Sequence, residues 1–263
     1  MPRFFVSPAD VRWDGETGTA VLRGEDVAHV KRVLRMGPGD GLTLCDGNGT
    51  EFEAVIDSAE DVITARLLSS AGTRSEPPYT VTVYQALVKG DRFDTVVMKS
   101  TELGATRVVP VMTARCMVRL DEKDYPKKRA RWQKIAAEAA GQCGRGRIPT
   151  VCDPVAFCDA VREASAADLP LFCYEGGEGA ETVALPLLFD RRTTIGTASV
   201  VIGPEGGFEP EEASEAVKNG LWPAGLGRRI LRTETAAPFV LAALSCRYEL
   251  TGSGDDRKIP GQD

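Results

Sequence analysis

The chain has 263 residues, 43% hydrophobic and 27% charged, with a formal net charge of −6. This is the composition of a folded globular protein with room for one large domain or two ordinary ones. No apolar run approaches the roughly 20 residues a bilayer span needs, and "MPRFFVSPAD" lacks a signal-peptide core, so a cytoplasmic location with no membrane partner is expected. The seven cysteines are odd in number and form no C-x-x-C pair, and His29 is the one histidine, so neither a disulfide framework nor a metal site is expected.

Residues 1–72 read mainly as short strands. "TAVLRG" precedes a helical stretch, "EDVAHVKRVLRM", whose spacing predicts Val27, Val30, Val33 and Leu34 on one buried face. "GLTLCDGNGTEFEAVIDSAEDVITARLLSS" predicts three strands, the first two joined by the hairpin signal "DGNG". A small β-barrel follows from this pattern. "AGTRSEPP" has linker composition, which places the domain boundary at 72/73.

Beyond the linker, strands and helices alternate through residues 73–250. "YTVTVYQALV", "RVVPVMT", "LPLFCYE" and "ASVVIG" predict strands. Helices are predicted at "DRFDTVVMKSTELG", 126–142, "PVAFCDAVREAS", 210–218 and from Thr233 to about Leu250. Repeated β-α-β units imply an α/β fold with a mostly parallel sheet. The last helix, "ETAAPFVLAALSCRYEL", is apolar almost all round, which predicts burial in a core or at a subunit interface. The tail, 251–263, has the composition of a disordered segment.

Charge is unevenly spread. Between Arg115 and Arg147 ten basic residues stand against four acidic ones, and the run ends in "GRGR", where glycines let guanidinium groups approach a ligand closely. A solvated helix face and a phosphate contact both fit that run.

Three predicted strands end in glycine-containing loops: "FCYEGGEG", "IGPEGGF" and "GLGRRILRTET". Ligands of parallel sheets bind beyond such carboxyl ends. No G-x-G-x-x-G follows the first strand and no G-x-x-x-x-G-K-[ST] is present, which removes the dinucleotide and P-loop readings. The charge inside these turns is negative, at Glu175 and Glu205. Carboxylates repel phosphate but accept from hydroxyls and stabilise cations, as a phosphate-free, positively charged nucleoside would require. Glu205 could equally do no more than cap its own turn.

"VVIGPEGGFEPEE" followed by "LGRRILRTETA" resembles the signature of the SPOUT RNA methyltransferases, and most closely the RsmE family, which methylates N3 of a uridine in 16S ribosomal RNA. The resemblance extends over "PRFFV", "HVKRVLRMGPGD", "KGDRFDTVVMKSTELGA" and "RWQKIAAEAAGQCGR". It implies an N-terminal PUA-like RNA-binding β-barrel, a SPOUT domain with a deep trefoil knot, S-adenosyl-L-methionine as cofactor, a homodimer, and ribosomal RNA or the small ribosomal subunit as partner. Carried over by motif, the cofactor pocket comprises Phe172, Cys173 and Glu175; Ile202, Gly203, Pro204, Glu205, Gly206 and Gly207; and Leu226, Gly227, Ile230, Leu231, Arg232, Thr233, Glu234 and Ala236. The sequence departs from the family at Gly141, where many relatives carry glutamate, at Arg228, where proline is common, and at Ala236.

For methylation of a uracil nitrogen, a guanidinium that meets the charge developing on the carbonyls favours the transition state. Arg232, Arg145 and Arg147 are the candidates, with Glu234 as a candidate base or as a carboxylate that orders the loop at a helix N-terminus. Arg3, Arg32, Arg35, Lys89, Arg92, Arg145 and Arg147 are the candidate RNA contacts. A related enzyme acting at another RNA site and a non-catalytic ribosome-assembly factor fit the same residues.

Overall fold

The computed structural model describes residues 1–177 and 179–250; the tail expected to be disordered lies outside the described residues. The chain divides into two compact units, Met1–Glu76 with Lys134–Pro149, and Pro77–Gln133 with the segment from Thr150 onward. A single cut at 72/73 thus becomes a more complex division, in which a return segment from the middle of the chain joins the first unit.

The first unit contains β1 (Arg3–Phe5), β2 (Val11–Trp13), β3 (Gly18–Leu22), the short helix α1 (Glu25–Ala28), β4 (Gly41–Cys45), β5 (Thr50–Ala59) and β6 (Ile63–Gly72). These strands form one six-stranded sheet in the order β1-β4-β5-β6-β3-β2, antiparallel except for the pair β1 and β4. Alternate residues of the strands, among them Leu22, Leu44, Phe52, Ile56, Ile63 and Leu67, enter one core. A sheet that gives one face to one core curls around it. No ladder joins β1 to β2 among the described residues, so closure is not made by hydrogen bonds.

One expectation fails here. Val27 and Val30 are buried, but Val33 is 69% exposed and Leu34 38%. After α1 the chain widens into a π turn over His29–Val33, with the Leu34 amide donating to the His29 carbonyl at 3.0 Å. A π turn takes one more residue than an α turn, so side chains beyond it rotate off the buried face. Arg35 ends the turn with φ 54°, a left-handed conformation.

The second unit contains β7 (Thr80–Ala86), α2 (Arg92–Glu102), β8 (Arg107–Met112), α3 (Tyr125–Cys143), β9 (Thr150–Val151), β10 (Val155–Ala156), α4 (Phe157–Ala164), β11 (Leu169–Cys173), β12 (Val183–Ala184), α5 (Leu185–Phe189), β13 (Thr197–Ile202), α6 (Pro210–Lys218), β14 (Trp222–Gly225) and α7 (Thr233–Tyr248); α3 runs on into the return segment of the first unit. Its sheet is parallel throughout, in the order β10-β8-β7-β13-β11-β14-β12, with β9 beside the start of β8. Strands buried on both faces read as continuous apolar runs, which is why "TVTVYQA" and "TASVVI" were legible. One face packs on α7 through Val240, Leu241 and Leu244, and the other on α4 and α6 through Phe157, Val161, Ala213 and Ala216.

Local chemistry sets the helix ends. Gly104 takes φ 87° after α2 and leaves no room for a Cβ beside the Pro77 ring, 2.6 Å away. α6 begins at Pro210 behind a capping box made by Glu209 and Glu212, and ends before Asn219 and Gly220.

Candidate functional site

The carboxyl ends of β11, β13 and β14 open into a cleft of about 850 Å³ in the second unit. Its walls are the three glycine-containing loops that follow these strands, with Arg92 and Arg115 contributed from elsewhere in that unit. Insertion of β13 between β7 and β11 brings loops distant in sequence to one edge of the sheet.

The middle loop is a tight turn closed by the Gly207 amide on the Pro204 carbonyl at 3.0 Å, with Gly207 at φ 69°. Glu205 and Gly206 are its central residues. Gly203 packs edge-on to Phe208, where a Cβ would lie 2.9 Å from a ring carbon. The acidic helix opening that follows is occupied in structure. Glu209 caps α6 and accepts Arg115 Nη2 at 2.9 Å, Glu212 accepts the Ala114 amide at 2.8 Å, and Arg115 Nη1 donates to the Gly206 carbonyl at 2.9 Å. The hydrogen bond from Arg115 holds the Glu209 carboxyl below the usual glutamate range.

Glu205 does more than cap its turn. Its Oε1 accepts Arg92 Nη1 at 2.6 Å and the Lys89 amide at 3.4 Å. Arg92 Nε also stands 4.0 Å from Glu234 Oε1, so one guanidinium lies between two cleft carboxylates. The third loop is pinned at its far end. The Thr233 hydroxyl donates to the Gly203 carbonyl at 2.6 Å and accepts from Gln85 Nε2 at 2.8 Å, tying the start of α7 to the ends of β13 and β7. Burial pushes the Cys173 thiol up to about 12, so it is protonated at neutral pH.

Of the residues expected around a cofactor, every one except Phe172 lines the cleft. Phe172 is fully buried, its ring packed 4.6 Å from Phe208 and 5.7 Å from Tyr174, because its position in β11 points away from the cleft into the core shared with α4 and α6. Arg232 is exposed at the cleft, at the N-cap of α7. Among the described residues Glu234 makes no hydrogen bond to the backbone of the loop, and its Oε2 is buried without a partner, which departs from the expectation that it orders the loop. Arg115, Tyr174, Thr182, Phe208, Arg228 and Arg229 also line the cleft and were not named as cofactor residues. Tyr174, Phe208, Arg228 and Arg229 fall within the three quoted loops and Arg115 opens the basic run, whereas Thr182 had no signal.

The candidate RNA contacts scatter. Arg92 and Lys89 lie in the second unit, beside Glu205. In the first unit, Arg32 and Arg35 are exposed on and just after the π turn. Arg3 is committed to Glu51, with contacts of 2.7 and 3.2 Å, which removes it as a free phosphate contact. Arg145 is corrected more firmly. It is 3% exposed, and its Nε and Nη2 donate to the Glu76 carboxylate at 3.2, 3.2 and 2.5 Å, so it meets neither RNA nor a reacting base. Arg147, two residues on, keeps an exposed side chain that crosses Gly49, while its amide donates to Glu76 at 3.1 Å. Among the described residues no cluster of His, Cys, Asp and Glu could hold a metal, and no helix is long and apolar enough to cross a membrane.

Comparison with known proteins gives this geometry its context. The RNA methyltransferase domain family matches residues 75–245, and the PUA domain family of RNA methyltransferases matches residues 22–63. Over 95% of its length the chain is 33% identical to ribosomal RNA small subunit methyltransferase E of Bacillus subtilis, covering 98% of that protein. A methyltransferase from Legionella pneumophila, solved in complex with the bound cofactor SAM, is 33% identical with a TM-score of 0.80, over 94% of this chain and 97% of that one. Ribosomal RNA small subunit methyltransferase E from Neisseria gonorrhoeae, solved bound to S-adenosyl methionine, is 32% identical with a TM-score of 0.81, over the same shares of the two chains.

Proposed function

The chain belongs to the RsmE family of SPOUT RNA methyltransferases, and from that premise we propose that it methylates N3 of a uridine in 16S ribosomal RNA. It is an S-adenosylmethionine-dependent ribosomal RNA methyltransferase. The observation that supports the cofactor reading is the cleft itself, in which three glycine loops meet at strand ends and three carboxylates stand among the arginines, with no lysine among the described lining residues.

The residues present fit the cofactor. Gly203 leaves no space for a side chain beside Phe208, so glycine there seats the turn closely on that ring at the end of β13. Glu234 carries a buried carboxylate oxygen with no partner among the described residues, suited to a ligand bearing hydroxyls and positive charge. The three loops from Cys173, Ile202 and Leu226 onward would hold the nucleoside.

Bound there, the sulfonium supplies an activated methyl group. The protein's part is alignment, exclusion of water and management of charge. Arg232, at the cleft and exposed at the first turn of α7, would donate to the uracil carbonyl on which negative charge develops as the N3 proton leaves. Arg32, Arg35, Arg147 and Lys89 would engage phosphates of the RNA. A deep trefoil knot is supported by the insertion of β13 between β7 and β11 and by the Thr233 ties to Gly203 and Gln85. A homodimer through α7 is supported by Phe239, an aromatic left 42% exposed on a helix that also exposes Thr235, Ala242 and Cys246 while Val240, Leu241 and Leu244 enter the core. A cytoplasmic site of action, with the assembled small subunit or its RNA as partner, completes the reading.

The test is mass-spectrometric mapping of methylated nucleosides in small-subunit RNA from cells with and without this gene. Loss of a single 3-methyluridine, restored by the purified protein and S-adenosylmethionine, is expected. An unchanged 3-methyluridine content, with a different modified nucleoside missing, would reassign the target.

A further inference from the structure

Three carboxylates line the cleft, and they differ in what they already hold. Glu175 is exposed on the loop after β11, where water satisfies it. Glu205 is matched by Arg92 at 2.6 Å. Glu234 has neither relief. Its side chain is 19% exposed, Oε2 is buried with no hydrogen-bond partner among the described residues, and the nearest cation is Arg92 Nε, 4.0 Å from the other oxygen. A buried carboxylate oxygen is costly unless paired, so this one is a standing demand for a donor or cation that the described chain does not supply.

We propose that Glu234 is the counter-charge for a cationic group of the cofactor, and that Glu205 parks Arg92 so that it does not quench Glu234. The inference rests on the reading of the cleft as the S-adenosylmethionine site. In this arrangement the guanidinium reaches Glu205 at hydrogen-bond distance and stops 4.0 Å short of Glu234. Drawn onto Glu205 through Nη1, it gives Glu234 Coulombic support but no hydrogen bond. Glu234 stays available to a ligand, and the ligand must bring positive charge to profit from it. S-adenosylmethionine has two such groups, its sulfonium and its ammonium.

The experiment is calorimetric binding to the full chain with three probes of graded charge. S-adenosylmethionine carries both cations, S-adenosylhomocysteine only the ammonium, and 5′-methylthioadenosine neither. Failure of the unaltered protein to bind any of them would overturn the cofactor-site reading itself. Given binding, Glu234→Gln keeps the shape and removes the charge. It is expected to weaken S-adenosylmethionine about tenfold or more while methylthioadenosine stays within about twofold. An equal loss for S-adenosylhomocysteine supports the proposal and identifies the ammonium; a loss confined to S-adenosylmethionine supports it and identifies the sulfonium. Equal weakening of all three probes makes Glu234 a packing residue and overturns the proposal, as does unchanged affinity for S-adenosylmethionine. Glu205→Gln tests the parking. Freed from Glu205, Arg92 is expected to close on Glu234 and weaken S-adenosylmethionine but not methylthioadenosine, with affinity restored in the Glu205→Gln/Arg92→Gln pair. Unaltered binding by Glu205→Gln overturns that part.

Discussion

Arg92 and Glu205 stand 113 positions apart in sequence and 2.6 Å apart in space. One opens α2 and the other is a central residue of the glycine turn after β13, so the parallel sheet alone brings them together. Their side chains are 43% and 25% exposed, which places the pair in the range of modest surface ion pairs. A double-mutant cycle of Arg92→Gln and Glu205→Gln in urea unfolding is expected to give a coupling of about 0.5–1 kcal/mol that shrinks with added salt. No measurable coupling at low salt would mean that the pair does not hold in solution.

Arg145 and Arg147 sit two residues apart and are expected to fail differently. Arg145→Ala leaves the partly buried Glu76 without its ion-pair partner and with the Arg147 amide alone, at an expected cost of about 2–3 kcal/mol in denaturant unfolding. Arg147→Ala leaves the amide bond to Glu76 intact and is expected to change stability by less than about 0.5 kcal/mol. The same variant should weaken RNA binding and lower the slope of log affinity against log salt by about 1. An unaltered slope would take Arg147 out of the RNA footprint.

Two glycines of one turn should separate by packing. Gly203→Ala puts a methyl 2.9 Å from the Phe208 ring, itself wedged between Phe157 and Phe172. Overpacking of that kind is expected to cost about 1–3 kcal/mol and to displace the turn, with loss of S-adenosylmethionine binding in calorimetry. Gly206→Ala meets Arg115 at 3.4 Å to the nearest side-chain atom and should be nearly neutral in unfolding, so any loss of S-adenosylmethionine binding in that variant is expected to come from the methyl group in the cleft.

Acid should act on the first unit through Glu51. Its bidentate contact with Arg3 holds the Glu51 carboxyl below its ordinary value of 4.5 in the folded chain. A carboxyl with a depressed folded pKa contributes stability that is fully present above its unfolded value and is lost as pH falls through the folded one. Arg3 stays charged throughout, so the pair's contribution should be constant from pH 7 to about 5 and then be lost as pH falls through the depressed folded value. Arg3→Met is expected to lower stability at pH 7 and to flatten this acid limb in urea unfolding followed from pH 7 to 3. An acid limb as steep as that of the unaltered protein would assign the loss to other carboxylates.

The proposed dimer has its own variant. Phe239 is exposed on α7, whereas its neighbours Val240 and Leu241 are fully buried in the core. Phe239→Glu is therefore expected to leave thermal stability of the subunit nearly unchanged while converting dimer to monomer in sedimentation velocity. A variant that sediments as the unaltered protein does would move the interface off this face.

What the sequence determined by itself is local. Pro210, the capping acids and Asn219-Gly220 mark α6 to the residue, because start and stop signals act within one turn of the backbone. The apolar runs of β11 and β13 and the glycine loops after them and after β14 marked a cleft at strand ends, because parallel strands buried on both faces can expose polar chemistry only where they stop. Tertiary structure decided everything that depends on partners distant in the chain. Phe172 and Cys173 are consecutive, yet one faces the core and the other the cleft, since a strand alternates its faces. Val33 and Leu34 kept helical spacing in the sequence but left the core once a π turn shifted the phase. Arg145 and Arg147 were indistinguishable as letters; Glu76, 69 residues before Arg145, made one a buried ion pair and left the other side chain exposed. Glu205 is the sharpest case. Its position in a glycine turn was plain from the sequence, but whether it capped the turn, met a ligand or held a cation depended on where α2 begins in space, and that is fixed by strand order rather than by any nearby residue.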